Sequence, residues 1–226
     1  MRTPSAAIRV CAVLLGCAAA AGMRGQSGEK SVEVTLEIKR GDVWQATDPH
    51  AVLQANDEIR FHFRTSAGGY LYVFNISSTG KGGWLYPRPG QRQSNRVEAG
   101  SNYLIPGLDG SFSIGGDPGY DTTYWVVSPA AMDVREPAPA PAEVQPNTLR
   151  PRCGEALLKA RGLCLDDRAG PGPVPDLKKV PLPVGSDSGS LVARDLTFHS
   201  QQDSTRIAAP SSSSGVLVYQ FLIAHQ

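Results

Sequence analysis

The sequence predicts an all-β protein, an antiparallel β-sandwich of the immunoglobulin-like or a related type. Apolar residues occupy every second position over residues 32–38 and again over 59–63, which is the two-residue period of half-buried strands. Further strand-like runs follow at short intervals and are separated by glycine, proline and aspartate turns, as in antiparallel sheets. A proline-rich stretch then interrupts the series, and we predict that it is an insertion carrying one short helix.

The remaining strands can be placed in chain order. Residues 70–76 are apolar on both faces except at Asn75, which suits a central strand of a covered sheet. Residues 216–224 form a second such run, broken by Gln220, and this run needs neighbouring strands on both sides. Shorter strands are predicted at residues 84–86, 102–105, 111–114, 122–127 and 196–199.

The N-terminus has the composition of a secretory signal. Arg2 and Arg9 precede an apolar run over residues 10–21 that ends in small residues. A run of about twelve residues is too short to cross a bilayer as a helix, which needs about 20. A buried helix would need a polar face, which this run lacks. We therefore predict a signal peptide over residues 1–26, cleavage within residues 17–27, and export to the periplasm, the cell envelope or the exterior.

Lipidation is the alternative form of processing. Residues 14–17 read Leu-Leu-Gly-Cys, which resembles a bacterial lipobox with Cys17 as the lipidated residue. The apolar run continues past Cys17, whereas a lipoprotein usually turns polar there. A lipid on Cys17 is the only membrane attachment that the sequence predicts.

The composition divides the rest of the chain into three parts. We predict the main part of the sandwich over residues 31–128, the proline-rich insertion over 129–190, and C-terminal strands that complete the sandwich over 191–226. Eleven of the 18 prolines fall within residues 129–189, and we expect this density to exclude a sheet or a long helix. Loss of residues 1–26 removes three of the 22 basic residues and none of the 21 acidic ones, leaving a net charge of −2. We expect no nucleic-acid partner, because no basic field remains.

Two cysteines remain after the signal, Cys153 and Cys164. A single pair in an oxidising compartment predicts a disulfide. A zinc site would need a second pair or nearby histidines, and the histidines are scattered, so we expect no metal.

Glu155 and Lys159 are spaced for one face of a short helix. Twelve helical residues would separate the cysteines by roughly 16 Å. Because a disulfide tolerates about 7 Å, the helix must end early, and Gly162 permits the turn.

The glycine-rich stretch around Gly80 and Lys81 raises the question of a phosphate-binding loop. That pattern requires glycine at position 75 and serine or threonine at position 82, where this chain has Asn75 and Gly82. Residues 84–86 predict a strand, so no helix N-terminus would face a phosphate. We predict a hairpin turn.

An ordered series of short motifs runs along residues 40–128. The series resembles the bacterial domain-of-unknown-function family 4384, although Asn56 stands where members tend to have glycine. The resemblance implies a β-rich domain that often occurs in envelope proteins or beside kinase-like and caspase-like domains, and it supplies no catalytic residue and no ligand. The chain departs from the family in its proline-rich insertion and in lacking a partner domain. The motifs are 56–61 (NDEIRF), 69–74 (GYLYVF), 85–87 (LYP), 95–97 (NRV), 99–100 (AG), 105–106 (IP), 118–119 (PG) and 124–127 (YWVV), and residues 219–225 are similar to the end of some exported members.

Catalytic patterns are weak throughout the chain. No G-x-S-x-G motif occurs, the mature cysteines are expected to be paired, and His62 and His199 alternate outward on strands. The carboxylate pairs at 57–58 and 166–167 lack the spacing of a calcium loop. We therefore predict a protein that is not an enzyme and has no cofactor, with a hydrolase as the least favoured alternative.

The favoured function is a non-catalytic envelope domain that binds a protein or glycan partner, and the alternative is a structural lipoprotein of the envelope. Exposed aromatic side chains would supply the binding surface, because tyrosine and tryptophan combine apolar area with a polar tip. The opposing interpretation is that most of these aromatics pack in the core. The candidates are Tyr70, Tyr72, Trp84, Tyr86, Tyr120 and Trp125.

Overall fold

The computed structural model describes residues 29–88, 94–133, 150–153, 155, 156, 158, 162–177, 180, 191, 192, 195–210 and 215–226. The predicted signal peptide and Cys17 lie outside the described residues. Among the described residues the fold is nearly all β, with 55% strand and 3% helix. The strands are β1 (Lys30–Arg40), β2 (Val43–Thr47), β3 (Glu58–Thr65), β4 (Gly69–Ile76), β5 (Gly82–Tyr86), β6 (Arg96–Val97), β7 (Asn102–Ile105), β8 (Phe112–Ser113), β9 (Gly119–Ser128), β10 (Gly170–Gly172), β11 (Leu191–Val192), β12 (Thr197–Gln201), β13 (Ser204–Ala209) and β14 (Val216–His225).

The first sheet has the strand order β12-β13-β1-β3-β7, with β2 beside β1 and β8 beside β3. One edge of β1 pairs with β13 along residues 30–35 and with β2 along residues 36–40. Its other edge pairs with β3, and all the pairs in this sheet are antiparallel. The predicted alternation over 32–38 and 59–63 is confirmed, because the apolar residues of β1 and β3 are buried and the polar ones face outward.

The second sheet has the strand order β10-β14-β9-β4-β5, with β11 beside β14 and β6 beside β4. β14 pairs antiparallel with β9 over nine residue pairs, from Leu217 with Val127 to His225 with Gly119. β4 lies between β9 and β5, as expected for a central strand. The short pairing of β11 with β14 is parallel.

The two sheets face each other across a shared apolar core. Alternate residues of β1 and β3 meet alternate residues of β4, β9 and β14 in this core. Trp125 of the second sheet lies with its ring 5.1 Å from Phe61 and 5.9 Å from Phe63 of the first sheet, measured between ring centroids. On its other side Trp125 stacks on Tyr219. This packing of two sheets supports the predicted β-sandwich.

Part of the proline-rich stretch belongs to the second sheet. Residues 170–172 pair with β14 at residues 220–222 as a short strand at the end of the sheet path. The expectation that proline density excludes a sheet here is wrong for these residues. Proline is tolerated on an edge strand, because the amide that it lacks can be the one that faces away from the sheet.

The same stretch also covers the outer face of the second sheet. Val174 and Val180 are buried there and pack in one cluster with Tyr72, Trp84 and Val218. These residues therefore protect apolar side chains that would otherwise face water. The sequence interpretation of the whole stretch as a peripheral excursion missed this contact.

The predicted disulfide is present between Cys153 and Cys164, whose Cα atoms lie 4.8 Å apart. Glu155, Ala156 and Leu158 are helical. The amide of Gly162 donates to the carbonyl of Leu158 at 2.9 Å, and Gly162 has a φ of +66°. A positive φ at this point is the expected end of a helix, so Gly162 turns the chain back toward Cys153.

Candidate binding site

Five of the six predicted binding aromatics are buried. Trp125 and Tyr86 lie in the core between the sheets, and Tyr72 and Trp84 lie in the cluster on the outer face of the second sheet. Tyr120 is buried at the end of β9. This burial agrees with the interpretation that most of the aromatics are core residues. A ligand could reach these five side chains only if the structure opened.

The sixth aromatic, Tyr70, is half-buried against the outer-face cluster. The hydroxyls of two buried tyrosines are tied to backbone groups. Tyr72 donates to the carbonyl of Met132 at 3.1 Å and accepts from its amide at 2.6 Å, and Tyr86 donates to the carbonyl of Ser94 at 2.9 Å. The structure brings the six candidates into three different clusters, so they do not form one surface.

A polar network around the buried side chains of Tyr120 and Asp166 joins the segments on either side of the disulfide loop to the second sheet. The hydroxyl of Tyr120 donates to the Asp166 carboxylate, which also accepts from the amides of Arg152 at 2.7 Å and Arg168 at 2.9 Å. The Arg168 guanidinium donates to the Tyr120 oxygen at 2.6 Å and lies over the Tyr120 ring. These hydrogen bonds fix the chain on both sides of the loop that the disulfide closes. We call the group of Tyr120, Asp166, Arg168 and the Arg152 amide the clamp.

The pKa values of the clamp follow from these bonds. Burial alone would raise the pKa of Asp166, but the hydrogen bonds from Tyr120 and from the two amides outweigh burial and lower it to about 2. Burial, followed by the bond to the carboxylate, raises the pKa of Tyr120 to about 12. The carboxylate therefore stays ionised and the phenol neutral across the physiological range.

Ser78, Asp121 and His225 supply the residue types of a catalytic triad but not its hydrogen-bond order. The Ser78 hydroxyl donates to the carbonyl of Asp117 at 2.7 Å, and the Ser78 amide donates to the Asp121 carboxylate at 2.8 Å. His225 Nε2 lies 3.2 Å from the same carboxylate oxygen. A triad requires the imidazole to contact the serine hydroxyl. Here the serine serves a turn, and the histidine fastens the end of β14 to β9.

The stretch around Gly80 and Lys81 is the turn of the hairpin from β4 to β5, as predicted. The amide of Ser77 donates to the carbonyl of Lys81 at 2.8 Å, and the amide of Gly80 donates to the carbonyl of Ser77 at 2.8 Å. Gly80 has a φ of +83°, which suits glycine. The turn leads into a strand, so the anion-binding end of a helix is not formed at this position.

A polar cleft lies at one end of the outer face of the first sheet. Glu33 of β1 is directly opposite Arg64 of β3 on one side and Arg206 of β13 on the other. Adjacent strands are about 4.8 Å apart, so the three side chains form a row across the sheet. The cleft beside this row has a volume of about 480 Å³, and Ser31, Glu33, Arg64, Ser66, Gly100 and Arg206 are among the residues that line it.

Both guanidinium groups of the cleft turn away from Glu33. Arg64 Nε donates to the carbonyl of Gly100 at 3.1 Å, and an Arg206 terminal nitrogen lies 3.4 Å from a carboxylate oxygen of Glu29. Glu33 accepts from the hydroxyl of Ser204 at 3.3 Å. Within the described part of the chain, neither arginine forms an ion pair with Glu33. The row therefore presents separated positive groups with an acceptor between them.

Other outward-facing charged side chains of the first sheet form ion pairs with residues of neighbouring strands or turns. Arg60 lies 2.5 Å from Glu37 and over the ring of Trp44, and His62 lies 3.5 Å from the same glutamate. The carboxylates at 57 and 58 pair with Arg40 and Lys39. These contacts hold neighbouring strands together. Among the described residues of this face, Arg64 is the arginine without a carboxylate partner, and Arg206 has such a partner only in Glu29, at 3.4 Å.

Sequence reasoning missed the residues of the cleft. The alternation of β1 and β3 predicted correctly that Glu33 and Arg64 face outward. Nothing in the sequence specifies that Arg206, far along the chain, comes to lie opposite Glu33. Register between distant strands is a tertiary property, so the only available signal was the outward position of each residue on its own strand.

The cleft also bears on the family relationship. Residues 52–131 match the family described as "Domain of unknown function (DUF4384)". This segment belongs to the DUF4384 family. The resemblance seen in the motifs is thereby confirmed, and the DUF4384 segment runs from just before β3 to just after β9. It supplies Arg64, Ser66 and Gly100 to the cleft, while Glu33 and Arg206 come from the flanking strands. No curated protein and no solved structure matches the chain.

Two kinds of feature are absent from the described residues. Among them, no helix has the length and apolar composition needed to cross a membrane. The residues that the structure describes also contain no group of three or more histidine, cysteine, aspartate or glutamate side chains arranged to hold a metal ion.

Proposed function

We propose that this protein is an exported, non-catalytic envelope domain that binds a protein or glycan partner through the cleft between Arg64 and Arg206. The observation that carries the proposal is the row of two arginines flanking Glu33 beside a cleft of about 480 Å³. Pockets that hold small ligands have volumes of about 300–1,000 Å³. Among the described residues Arg64 has no carboxylate partner and Arg206 has only Glu29, at 3.4 Å, so a ligand of complementary charge can add to their contacts.

The absence of catalysis in this proposal draws support from the groups that resemble a catalytic set. Ser78 and His225 are engaged in bonds that hold a turn and a strand end, as described above. Tyr120 and Asp166 are engaged with each other and with Arg168. An activity screen with hydrolase substrates tests this point, and turnover lost on Ser78→Ala would favour the hydrolase alternative.

The binding proposal can be tested by capture of envelope components. We expect the wild-type protein to retain a partner that Arg64→Gln/Arg206→Gln does not retain. Lys81→Gln serves as a control, because it removes a positive charge from the exposed hairpin turn of the second sheet, away from the cleft. Equal retention by the wild type and the double variant would contradict binding through the cleft.

Export and processing are part of the same proposal. The supporting feature is the signal-like sequence of residues 1–26. We expect mass spectrometry of protein taken from the host envelope to find an N-terminus between residues 17 and 27. A lipid-modified Cys17 would favour the alternative of a structural lipoprotein. Retention of Met1 would contradict export.

We also propose a domain organisation for the chain. Residues 31–128 and 191–226 form one sandwich of immunoglobulin-like or related type, and residues 129–190 are an insertion into it. The pairing of β13 with β1 and of β14 with β9 supports this organisation, because the C-terminal strands join both sheets. Deletion of residues 216–226 tests this organisation.

A further inference from the structure

We infer that the cleft binds an acidic saccharide, a sugar that carries both carboxylate and hydroxyl groups. This inference rests on the proposed binding function and names the ligand class of the same site. It follows from the donors and acceptors that the cleft leaves unused.

The two arginines of the cleft favour an anionic group on the ligand. Arg64 is held through its Nε by the carbonyl of Gly100, and among the described residues its terminal nitrogens have no hydrogen-bond partner, so a ligand can bind them. Arg206 contacts Glu29 at 3.4 Å, and nearly half of its side chain is exposed, at 46%. A guanidinium with free terminal nitrogens binds a carboxylate through paired, charge-assisted hydrogen bonds. The arginines therefore account for the carboxylate of the ligand.

The Glu33 carboxylate favours a hydrogen-bond donor on the same ligand. Its carboxylate lies between the two arginines in the row and accepts from the Ser204 hydroxyl. A simple anion placed between the arginines would meet Glu33 without being able to donate to it. A like-charge contact of this kind is unfavourable. A sugar hydroxyl resolves the conflict, because it donates to Glu33 while the carboxylate of the sugar contacts an arginine.

The hydroxyls of Ser66 and Thr65, two residues of the wall, are already engaged in hydrogen bonds, so they do not replace those of the ligand. The Ser66 hydroxyl accepts from the amide of Ser31 at 2.8 Å and donates to the carbonyl of Glu29 at 3.2 Å. The Thr65 hydroxyl bonds to the backbone of Ala67. These bonds hold the ends of β1 and β3 in place, which gives the cleft a fixed wall. A rigid wall lowers the entropic cost of binding.

The test uses calorimetric titration of the full chain with a short oligogalacturonate. The matched probe is the same oligosaccharide with its carboxylates reduced to hydroxyls. We expect the acidic probe to bind, and binding of the reduced probe to be lost. Arg64→Gln and Arg206→Gln should each weaken binding of the acidic probe roughly tenfold or more, as expected for loss of a charge-assisted bond. Lys81→Gln should leave the affinity unchanged.

Glu33→Gln separates a saccharide from a plain anion. For an acidic saccharide we expect weaker binding, because the carboxylate that accepts the sugar hydroxyl is lost. Titration with sulfate should conversely improve with Glu33→Gln, because the repulsion is removed. Tighter binding of the oligogalacturonate to Glu33→Gln, or equal binding of the reduced probe, would overturn the inference.

The proposed function and the ligand class fail in different ways. Capture of an envelope protein that depends on both arginines, without oligogalacturonate binding, would overturn the saccharide and leave the proposed function standing. If substitution of the two arginines changes neither the capture of a partner nor the affinity for oligogalacturonate, the binding role of the cleft itself is overturned.

Discussion

Two buried tyrosines of the second sheet differ in what their hydroxyls contact. The Tyr219 side chain is fully buried in the core, and its hydroxyl has no hydrogen-bond partner among the described residues. The Tyr72 hydroxyl makes two bonds to the backbone of Met132. An unpaired buried polar group costs free energy, whereas a paired one does not.

We expect Tyr219→Phe to leave the stability unchanged or to raise it by about 1 kcal/mol, because the substitution removes a hydroxyl that lacks a partner. Tyr72→Phe is the matched control and should lower the stability by about 1–2 kcal/mol, because it leaves the Met132 groups unpaired. The free energy of unfolding in denaturant measures both. Equal losses in the two variants would show that the Tyr219 hydroxyl has a partner.

At the same scale, Asp166 can be tested against its neighbour. Asp166→Asn removes the charge that Tyr120 and two amides stabilise, and we expect a loss of about 2 kcal/mol at neutral pH. Asp167→Asn changes an exposed residue of the same type and should stay within about 0.5 kcal/mol of the parent. Comparable losses in both variants would contradict the clamp.

The pH dependence of this clamp has a definite sign. The pKa of Asp166 is about 2 in the folded protein against an ordinary value of 3.8, so the unfolded chain binds the proton more readily between these values. The stabilisation is present above pH 3.8 and is lost as the pH falls from 3.8 toward 2. Denaturation at neutral pH and at the two ends of this window should therefore show a steeper loss in the wild type than in Asp166→Asn.

At the scale of elements, β14 shows how far the sequence predicts the fold. Its apolar residues occur on both faces, which predicted a central strand, and the structure places it between β9 and β10. The face turned away from the first sheet is covered by residues 174 and 180. Those cover residues lie in a proline-rich segment without periodicity, so no sequence pattern identified them.

Val218 tests this cover directly. Val218→Asp would place a charge in the buried cluster with Val174 and Val180, and we expect a loss of 3 kcal/mol or more, on the order of other buried unpaired charges. Gln220→Asp is the matched control on the same face of β14, at a half-buried position, and should cost much less. Thermal unfolding of the two variants measures the difference. Similar melting temperatures would show that the outer face is open to water.

The same cover explains why the candidate aromatics could not be assigned from the sequence. Alternation tells which residues share a face of a strand, and it does so correctly for β1 and β3. It cannot tell whether a distant segment lies over that face. Tyr72 and Trp84 are buried for that reason. The cleft was missed for the complementary reason that the register of Arg206 against Glu33 joins remote parts of the chain.

At the scale of the whole molecule, two deletions distinguish the proposed insertion from the strands that complete the sheets. Deletion of residues 216–226 removes a central strand and exposes the edge of β9, so we expect an insoluble or molten product. Replacement of residues 135–149 by a flexible linker should leave cooperative unfolding near that of the parent, because their Ala-Pro composition offers few apolar side chains to bury. Thermal unfolding decides between these outcomes.

A third deletion supplies the control. Removal of residues 165–180 should destabilise the fold strongly, because it takes away buried Leu165, Val174 and Val180 and the edge strand β10. A C-terminal truncation that melts like the parent, or a 165–180 deletion that has no effect, would contradict the proposed organisation.

The pairing of β14 with β9 also determines the timing of folding during synthesis. Because Leu217 pairs with Val127, β9 leaves the ribosome about 90 residues ahead of its partner, which at ~5–20 residues per second is roughly 5–20 seconds. Throughout that interval the nascent chain carries a complete, aromatic-rich strand with one unpaired edge. Until β14 has been synthesised, we expect the nascent chain to need a bound chaperone or translocation across the membrane in an unfolded state.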